Sequence, residues 1–185
     1  MTQPGQMSST SLAEVAALLR ERNALDARLG QIVGRPPEKG HLGEWIASQI
    51  FDIQLETSAS RKAIDGRFRT GPLGGRTVNI KWFFKREGGL DMTESPDLDY
   101  YLVLAGPTTV VFSSRGMTRP AVIAAVYLFD AVQLLVEQRA RGVKVGIFSS
   151  VVNAQWKAAE IYPTATCPAL VITDEQRRQL ELFAG

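Results

Sequence analysis

The sequence AIDGRFRTGPLGGRTVNIKWFF, residues 63–84, contains two short segments of strand-like alternation on either side of a glycine-rich turn. Apolar or small residues alternate with charged residues in 64–69, and a second alternation follows in 77–84. A period of two is that of a β-strand, whose side chains point to opposite faces in turn. Residues 70–75, TGPLGG, are typical turn formers, so the pattern predicts a β-hairpin.

The polar faces of these two strands carry an unusual set of side chains. Asp65 is predicted to share a face with Arg67 and Arg69, and Asn79 to share one with Lys81. The opposite faces are apolar enough to lie on a core. The hairpin is therefore expected to bring an acid, an amide oxygen and a lysine together on one polar face.

Composition indicates a soluble globular chain that can bury a sizeable core. The protein has 185 residues, of which 45% are hydrophobic and 22% are charged, and this length suits one compact domain. The formal net charge is only +2, so the chain has no overall polybasic character. Local clusters of lysine and arginine still allow nucleic-acid binding.

Cysteine content and hydropathy favour a cytoplasmic protein that does not enter a membrane. Cys167 is the only cysteine, which rules out an internal disulfide. No signal peptide is visible, and the apolar run 121–129 is far shorter than the ~20 residues that a spanning helix needs. Residues 1–10 are expected to be a flexible tail, and 11–185 to form a single domain.

The N-terminal region, 11–34, is predicted to be a helix with Ser11 as its cap. Leu18, Leu25 and Ile32 repeat at intervals of seven residues, which places them on one helix face. This seam is filled in by Val15 and Leu29 and interrupted by Arg22 and Asp26. Two interpretations stay open: packing on its own domain, which is favoured, or a short coiled-coil contact that makes a homodimer.

A second helix is predicted over 38–52, after two consecutive prolines break the first. Its apolar stripe consists of residues at helical spacing, Leu42, Trp45, Ile46 and Ile50. Glu44 lies at the edge of this stripe. His41 is the only histidine, so neither a histidine–cysteine zinc cluster nor a supported serine–histidine–aspartate arrangement is expected.

The rest of the chain reads as alternating strands and helices. Strands are predicted over 53–57, 100–105, 109–112, 120–129, 143–148 and 169–172. Helices are predicted over 131–141 with Asp130 as cap, from a cap at Ser149 or Ser150 to about Tyr162, and over 174–183. The predicted fold class is therefore α/β with a mixed sheet.

The order of these elements resembles the restriction-endonuclease-like superfamily, the PD-(D/E)xK phosphodiesterases. That family has an α-β-β-β-α-β core, with an aspartate on its first strand and an acid or amide, one residue and a lysine on its second. A preceding helix often carries a glutamate. The resemblance covers about 38–148, and it implies such a core with an added N-terminal helix and C-terminal α/β elements in 150–185.

The resemblance implies a role for each matching residue. Asp65 would be the central ligand of Mg²⁺ (or Mn²⁺), joined by Asn79 and the backbone carbonyl of Ile80. Glu44 would support the metal or its water shell, and Lys81 would position the attacking water and offset charge in the transition state. Asn79 departs from the glutamate or glutamine that is usual there, because its amide oxygen carries no negative charge and has a shorter reach.

The chemistry is coherent on the side chains alone. Magnesium prefers hard oxygen ligands and polarises a bound phosphate, and a nearby lysine stabilises the developing charge. Hydroxyl groups and cations that could contact phosphates are supplied by Ser60, Arg61, Lys62, Arg67, Arg69 and Lys85. For Arg67 and Arg69, salt bridges with local acids or simple solvation are the favoured alternative.

Two functions follow as hypotheses. The first is an Mg²⁺-dependent endonuclease that hydrolyses phosphodiester bonds in nucleic acid, DNA rather than RNA. A homodimer fits this hypothesis, because so small a chain leaves little room for a separate recognition domain. The second is a catalytically silent module of the same fold that binds nucleic acid or a protein partner. In a third interpretation the hairpin match is a coincidence in an ordinary mixed α/β protein.

Overall fold

A computed structural model gives the fold and describes residues 9–57, 63–108 and 119–185. The chain divides into two compact units, Met1–Leu42 and Gly43–Gly185. The predicted strand 109–112 lies outside the described residues.

The first unit contains helix α1, Ser9–Val33, and the first residues of α2, Lys39–Phe51. Because α1 begins before Ser11, that residue lies inside the helix and the predicted cap is wrong. Gly34 ends the helix with a φ of +74°, and its N–H donates to the Gly30 carbonyl at 2.8 Å. This is the usual role of a glycine just past a helix end.

The second unit is built on a mixed six-stranded sheet. In chain order its strands are β1 Ile53–Leu55, β2 Gly66–Phe68, β3 Thr77–Phe83, β5 Tyr100–Ala105, β6 Ala125–Asp130 and β8 Glu160–Tyr162. A separate two-stranded sheet pairs β4 Gly89–Leu90 with β7 Ser149–Ser150. The further helices are α3 Ala131–Ala140, α4 Asn153–Ala159 and α5 Asp174–Glu181. The predicted α/β class with a mixed sheet is confirmed.

In the large sheet the strand order is β1-β2-β3-β5-β6-β8. Only β3 and β5 are parallel, and every other neighbouring pair is antiparallel. Residues 84–99, which join β3 to β5, contain β4 and no helix. The expected α-β-β-β-α-β core has a helix and then a strand over 143–148 after the strand at 100–105. In the structure β6 precedes α3, and residues 143–148 form no strand, so this finer expectation is not confirmed.

The predicted hairpin forms between β2 and β3. Gly66 lies opposite Val78 in an antiparallel pair, and Gly71–Leu73 make one turn of 3-10 helix in the connection. The first strand is shorter than the predicted 64–69, because Ala63 has a φ of +92° and the chain turns before Gly66.

Side chains of β3 alternate between two faces of the sheet. The side that carries Asn79 and Lys81, here called the Asn79 face, continues through buried residues of β5 and β6: Tyr101, Val103, Tyr127 and Phe129. Trp156 of α4 covers them, with ring centroids 4.7 Å from Tyr127 and 5.1 Å from Phe129. Leu134 of α3 joins the same cluster.

The opposite side, here called the Trp82 face, carries Val78, Ile80 and Trp82. Helix α2 lies against it so closely that a Cβ on Gly43 would be 2.9 Å from the Trp82 Cβ. Helix α5 is tied to the end of α2, because the Gln176 side chain donates to the Ile50 carbonyl at 3.0 Å.

One predicted face of the hairpin is wrong. Ile64 was expected to share an apolar face with Phe68, but it packs in the cluster that contains Tyr101. Phe68 instead contacts Tyr100, at 6.5 Å between ring centroids. Tyr100 and Tyr101 are consecutive in β5 and point to opposite faces, so the turn at Ala63 has moved Ile64 to the other side.

Several predicted boundaries in the second half are also wrong. The strand predicted over 120–129 begins only at Ala125, because its partner β5 ends at Ala105. The strand predicted over 143–148 does not form, since Gly146 and Phe148 have φ values of +150° and +57°. The chain pairs only afterwards, at Ser149–Ser150, so neither serine caps α4.

The last elements differ in a related way. Helix α4 ends at Ala159, and Glu160–Tyr162 form β8 on the free edge of β6 rather than the end of a longer helix. Residues 169–172 form no strand. Two predictions hold well: Asp130 caps α3 by accepting from the Gln133 N–H at 2.8 Å, and α5 occupies most of the predicted 174–183.

Candidate active site

Asp65 lies immediately before β2 and bonds to β3 through both its backbone and its side chain. Its N–H donates to the Val78 carbonyl at 2.9 Å, and its Oδ2 accepts from the Ile80 N–H at 2.6 Å. The carboxylate thus partners a backbone donor of β3 just where pairing with β2 ends. The structure therefore brings Asp65 to the backbone between Asn79 and Lys81.

Asn79 is 6% exposed and contributes one satisfied and one unsatisfied polar atom. Its Nδ2 donates to the Ala63 carbonyl at 3.0 Å. A carbonyl can only accept, so this bond fixes the orientation of the amide. The Oδ1 atom is then buried with no hydrogen-bond donor in the described part of the chain, which costs about 1–3 kcal/mol if nothing else binds it.

Ala63 holds this arrangement in a strained backbone conformation. Its φ of +92° is rare for a residue with a Cβ and costs on the order of 1–3 kcal/mol. The same residue offers its carbonyl to Asn79. Strained backbone and an unsatisfied buried acceptor therefore occur together, a combination that is more common at functional sites than in ordinary cores.

The backbone carbonyl of Ile80 faces the same edge. In a strand the N–H and C=O groups of one residue point to the same side. Since the Ile80 N–H points to Asp65, its carbonyl points that way too. Pairing between β2 and β3 ends at Gly66 and Val78, so this carbonyl has no partner in the β2 ladder.

Lys81 and Glu44 are placed differently from each other. Lys81 lies on the Asn79 face, partly exposed, and makes no ion pair within the described residues. Glu44 belongs to α2, whose Gly43 packs on the Trp82 face. The structure therefore groups Asp65, Asn79 and Ile80, puts Lys81 on the same strand, and places Glu44 on a helix at the opposite face.

The predicted phosphate contacts are only partly visible. Ser60, Arg61 and Lys62 lie outside the described residues. The other three cations have local partners: Arg69 Nη2 is 2.7 Å from Asp52 Oδ1, Arg67 donates to the Gly75 carbonyl at 3.2 Å, and Lys85 Nζ is 3.9 Å from Glu87 Oε2. Arg69 thus makes the local salt bridge that was the favoured alternative.

Sequence reasoning missed Arg86. Its guanidinium lies 5.9 Å from the Trp156 ring centroid and donates to Asn153 Oδ1 at 2.9 Å. Burial, and next the charge of Glu160, raise the pKa of Tyr127, while the bond from Arg86 opposes this rise. Arg86 is thereby fixed on the Asn79 face. No local signal could reveal it, because Asn153 lies 67 residues further along the chain.

Sequence reasoning also missed Asp99, which bonds to the start of β3. Its Oδ2 accepts from the Thr77 N–H at 2.7 Å, and its Oδ1 accepts from Arg76 at 2.8 Å. The Asp99 N–H in turn donates to the Thr77 hydroxyl at 2.8 Å. Burial acts to raise the pKa of Asp99, but the bonds from Thr77 and Arg76 outweigh it and lower the pKa below its ordinary value.

Comparison with known proteins identifies no relative: no protein-family model matches the chain, and no curated protein does. Across residues 9–57, 63–108 and 119–185, no group of three or more histidine, cysteine, aspartate or glutamate side chains could hold a metal. No helix in that part of the chain is both long enough and apolar enough to cross a membrane.

Proposed function

We propose that this protein is a metal-dependent phosphodiesterase that cleaves nucleic acid, DNA rather than RNA, on a restriction-endonuclease-like core. The observation that carries the proposal is the Oδ1 atom of Asn79, a buried acceptor without a donor among the described residues. It belongs to the residue next to Ile80, whose N–H holds the Asp65 carboxylate. A buried oxygen without a donor, close to a carboxylate, suits a cation.

The donor set fits a hard divalent cation. The Asp65 carboxylate, the Asn79 amide oxygen and the Ile80 carbonyl would hold it, and Mg²⁺ typically takes one or two carboxylates plus oxygens of the substrate phosphate. Bound there, Mg²⁺ or Mn²⁺ would polarise the phosphate and acidify water. With a single negative ligand in this group, we expect strong metal binding only when the substrate is present.

The remaining residues hold the Asp65 carboxylate in position and offset the negative charge of the phosphate. The Ile80 N–H fixes one oxygen of the Asp65 carboxylate at 2.6 Å, which holds the carboxylate beside Asn79. Lys81 supplies a positive charge for the charge that develops on a scissile phosphate. Glu44 lies on α2 at the opposite face of the sheet, so it is given no role in this mechanism. Arg67, Arg69 and Lys85 would hold flanking phosphates only by exchanging their present local partners, so their contribution is secondary.

The test is cleavage of supercoiled plasmid and of single-stranded DNA in Mg²⁺, Mn²⁺ or EDTA. We expect cleavage that requires the metal and falls about 100- to 1,000-fold in Lys81→Ala, the usual loss for one stabilising group. Lys144→Ala, which changes an exposed lysine elsewhere, is the matched control and should cleave normally. Activity that persists in EDTA, or in Lys81→Ala, would exclude this mechanism.

A catalytically silent module of the same fold is the second candidate. It is favoured by Asn79 itself, which supplies an amide where a second carboxylate is usual, and by the absence of an acidic cluster in the described residues. Such a module would bind DNA in EDTA with steep salt dependence and would not bind Mn²⁺. Titration of the intact protein with Mn²⁺, with and without DNA, separates the two functions.

A further inference from the structure

Helix α1 exposes a large apolar surface. Of the fourteen large hydrophobic side chains exposed in the described part of the chain, seven belong to this helix: Leu12, Val15, Leu18, Leu19, Leu25, Leu29 and Ile32. Their exposure runs from 40% at Leu29 to 73% at Leu12. Scattered exposed leucines are ordinary, but an apolar stripe along a 25-residue helix marks an interaction surface.

The stripe has the spacing of a coiled-coil seam. Steps of three and four residues alternate without a break through Val15, Leu18, Arg22, Leu25, Leu29 and Ile32. In heptad terms Val15, Arg22 and Leu29 occupy a positions, and the other three occupy d positions. Asp26 is an e residue beside the seam rather than inside it, so Arg22 is the single polar residue in the seam.

We propose that α1 pairs in antiparallel orientation with α1 of a second copy of this chain. In that register Val15 lies opposite the partner's Ile32, Leu18 opposite the partner's Leu29, and Arg22 opposite the partner's Leu25. The two-fold axis repeats each pair, so six layers fall within the overlap of the helices. An interface of this kind is self-complementary, as a symmetric dimer requires.

Charges beside the seam favour this orientation. Glu21 and Arg28 occupy g positions, and g residues face each other in an antiparallel pair. Glu21 therefore meets the partner's Arg28, and the symmetry repeats the contact. Neither side chain makes an ion pair within the described residues. Arg22 lies 3.6 Å from Asp26, so its stem can cover the partner's Leu25 while its charge stays in water.

A parallel pair would set like charges against each other. Arg22 would lie opposite the partner's Arg22 in the seam, and Glu21 would face the partner's Asp26 across the g and e positions. Both contacts are repulsive. The same sequence that disfavours a parallel dimer is complementary in the antiparallel one, which is why a second copy is a better occupant of this surface than an unrelated helix.

Sedimentation of the full chain over a concentration series tests the proposal. We expect a monomer–dimer equilibrium in the wild type. Glu21→Arg and Arg28→Glu should each raise the dimer dissociation constant about tenfold, since each replaces two attractions by two repulsions, and the double variant should restore it. Arg20→Glu, which changes the charge on the outer face of α1, is the matched control and should dimerise as the wild type does.

The outcomes distinguish the alternatives. A parallel dimer would be strengthened by Glu21→Arg, because the new arginine would face the partner's Asp26. Leu29→Glu, which sets a carboxylate opposite the partner's Leu18, should abolish the dimer, and far-UV circular dichroism checks that each variant still folds. A wild type that stays monomeric at its highest soluble concentration, or a dimer that none of these changes affects, overturns the proposal. Cleavage of DNA plays no part in this test.

Discussion

Asp99 bonds to the backbone at the start of β3, and Asp65 bonds to the backbone further along the same strand. The surroundings of the two aspartates differ. Asp99 accepts from the Thr77 N–H at 2.7 Å, and Asp65 accepts from the Ile80 N–H at 2.6 Å. Around Asp99 the acceptors are matched by donors, because Arg76 bonds its second oxygen. Beside Asp65, the buried Oδ1 of Asn79 has no donor in the described part of the chain.

The difference separates a structural carboxylate from a candidate ligand. A carboxylate that accepts several hydrogen bonds on both of its oxygens, as Asp99 does, stabilises the fold and is held in place by its donors. A buried oxygen without a donor, such as Asn79 Oδ1, carries a cost in the folded state, which a bound cation would remove. Burial and geometry alone would not distinguish the two sites, since both bonds to β3 have nearly the same length.

The largest expected effect is the loss of Mn²⁺ affinity when the charge of Asp65 is removed, with removal of the Asp99 charge as the control. Asp65→Asn keeps an oxygen for the Ile80 N–H but should weaken Mn²⁺ binding about 100-fold or more, because outer-shell changes alone cost 10- to 100-fold. Asp99→Asn, the matched control, should leave the affinity unchanged within about twofold. Calorimetric titration with Mn²⁺ in the presence of DNA measures both. Equal losses of Mn²⁺ affinity in the two variants would show that Asp65 is no more a metal ligand than Asp99 is.

A smaller effect is expected from adding a carboxylate. Asn79→Asp removes the donor to the Ala63 carbonyl and sets a second negative charge close to Asp65. In EDTA the free energy of unfolding should fall by about 1–3 kcal/mol, the cost of an unsatisfied buried group. Excess Mn²⁺ should then stabilise this variant more than the wild type, because the stabilisation by a ligand rises with the logarithm of its affinity for the folded state.

Urea denaturation with and without Mn²⁺ checks this second expectation. The wild type measured in both conditions is the control for any general effect of the ion. If Mn²⁺ stabilised the two proteins equally, the unsatisfied oxygen of Asn79 would not belong to a metal site. A variant that lost no stability in EDTA would instead show that the Asn79 amide contributes little to the fold.

The parts of this fold that sequence predicts are those with local signals. The hairpin follows from a period of two on each side of TGPLGG, and the start of α3 follows from Asp130, which caps it. The strand predicted over 143–148 shows the limit, because its apolar residues alternate well. The left-handed φ of Phe148 at +57° depends on the turn that precedes β7. It cannot be predicted from the residue type, because phenylalanine has no preference for that conformation.

The candidate site is predictable in its residues but not in its electrostatics. The order of Asp65, Asn79 and Lys81 is visible in the sequence, whereas the positive φ of Ala63 is not, since alanine has no preference for that conformation. The missing donor at Asn79 depends on the path of the chain at 63–65. Asp99 is equally hidden, because its bond to Thr77 joins residues that are 22 positions apart.

The smallest expected effect is the pH dependence of the Asp99 contact. Its pKa in the folded protein is lowered, chiefly because the bonds from Thr77 and Arg76 outweigh burial. A lowered folded pKa means that the stabilisation is present above the unfolded pKa, about 3.9, and is lost as pH falls through the folded pKa. The stability difference between wild type and Asp99→Asn should therefore shrink below about pH 4.

Urea denaturation of both proteins between about pH 3 and pH 7 measures that difference. The contribution should be modest, because the Asp99 side chain is 29% exposed and solvent screens its pair with Arg76. Added salt should weaken the Arg76 part and leave the bond from the Thr77 N–H, which is more buried. A difference that is equally large at the lowest and highest pH would mean that the carboxylate charge of Asp99 does not stabilise β3.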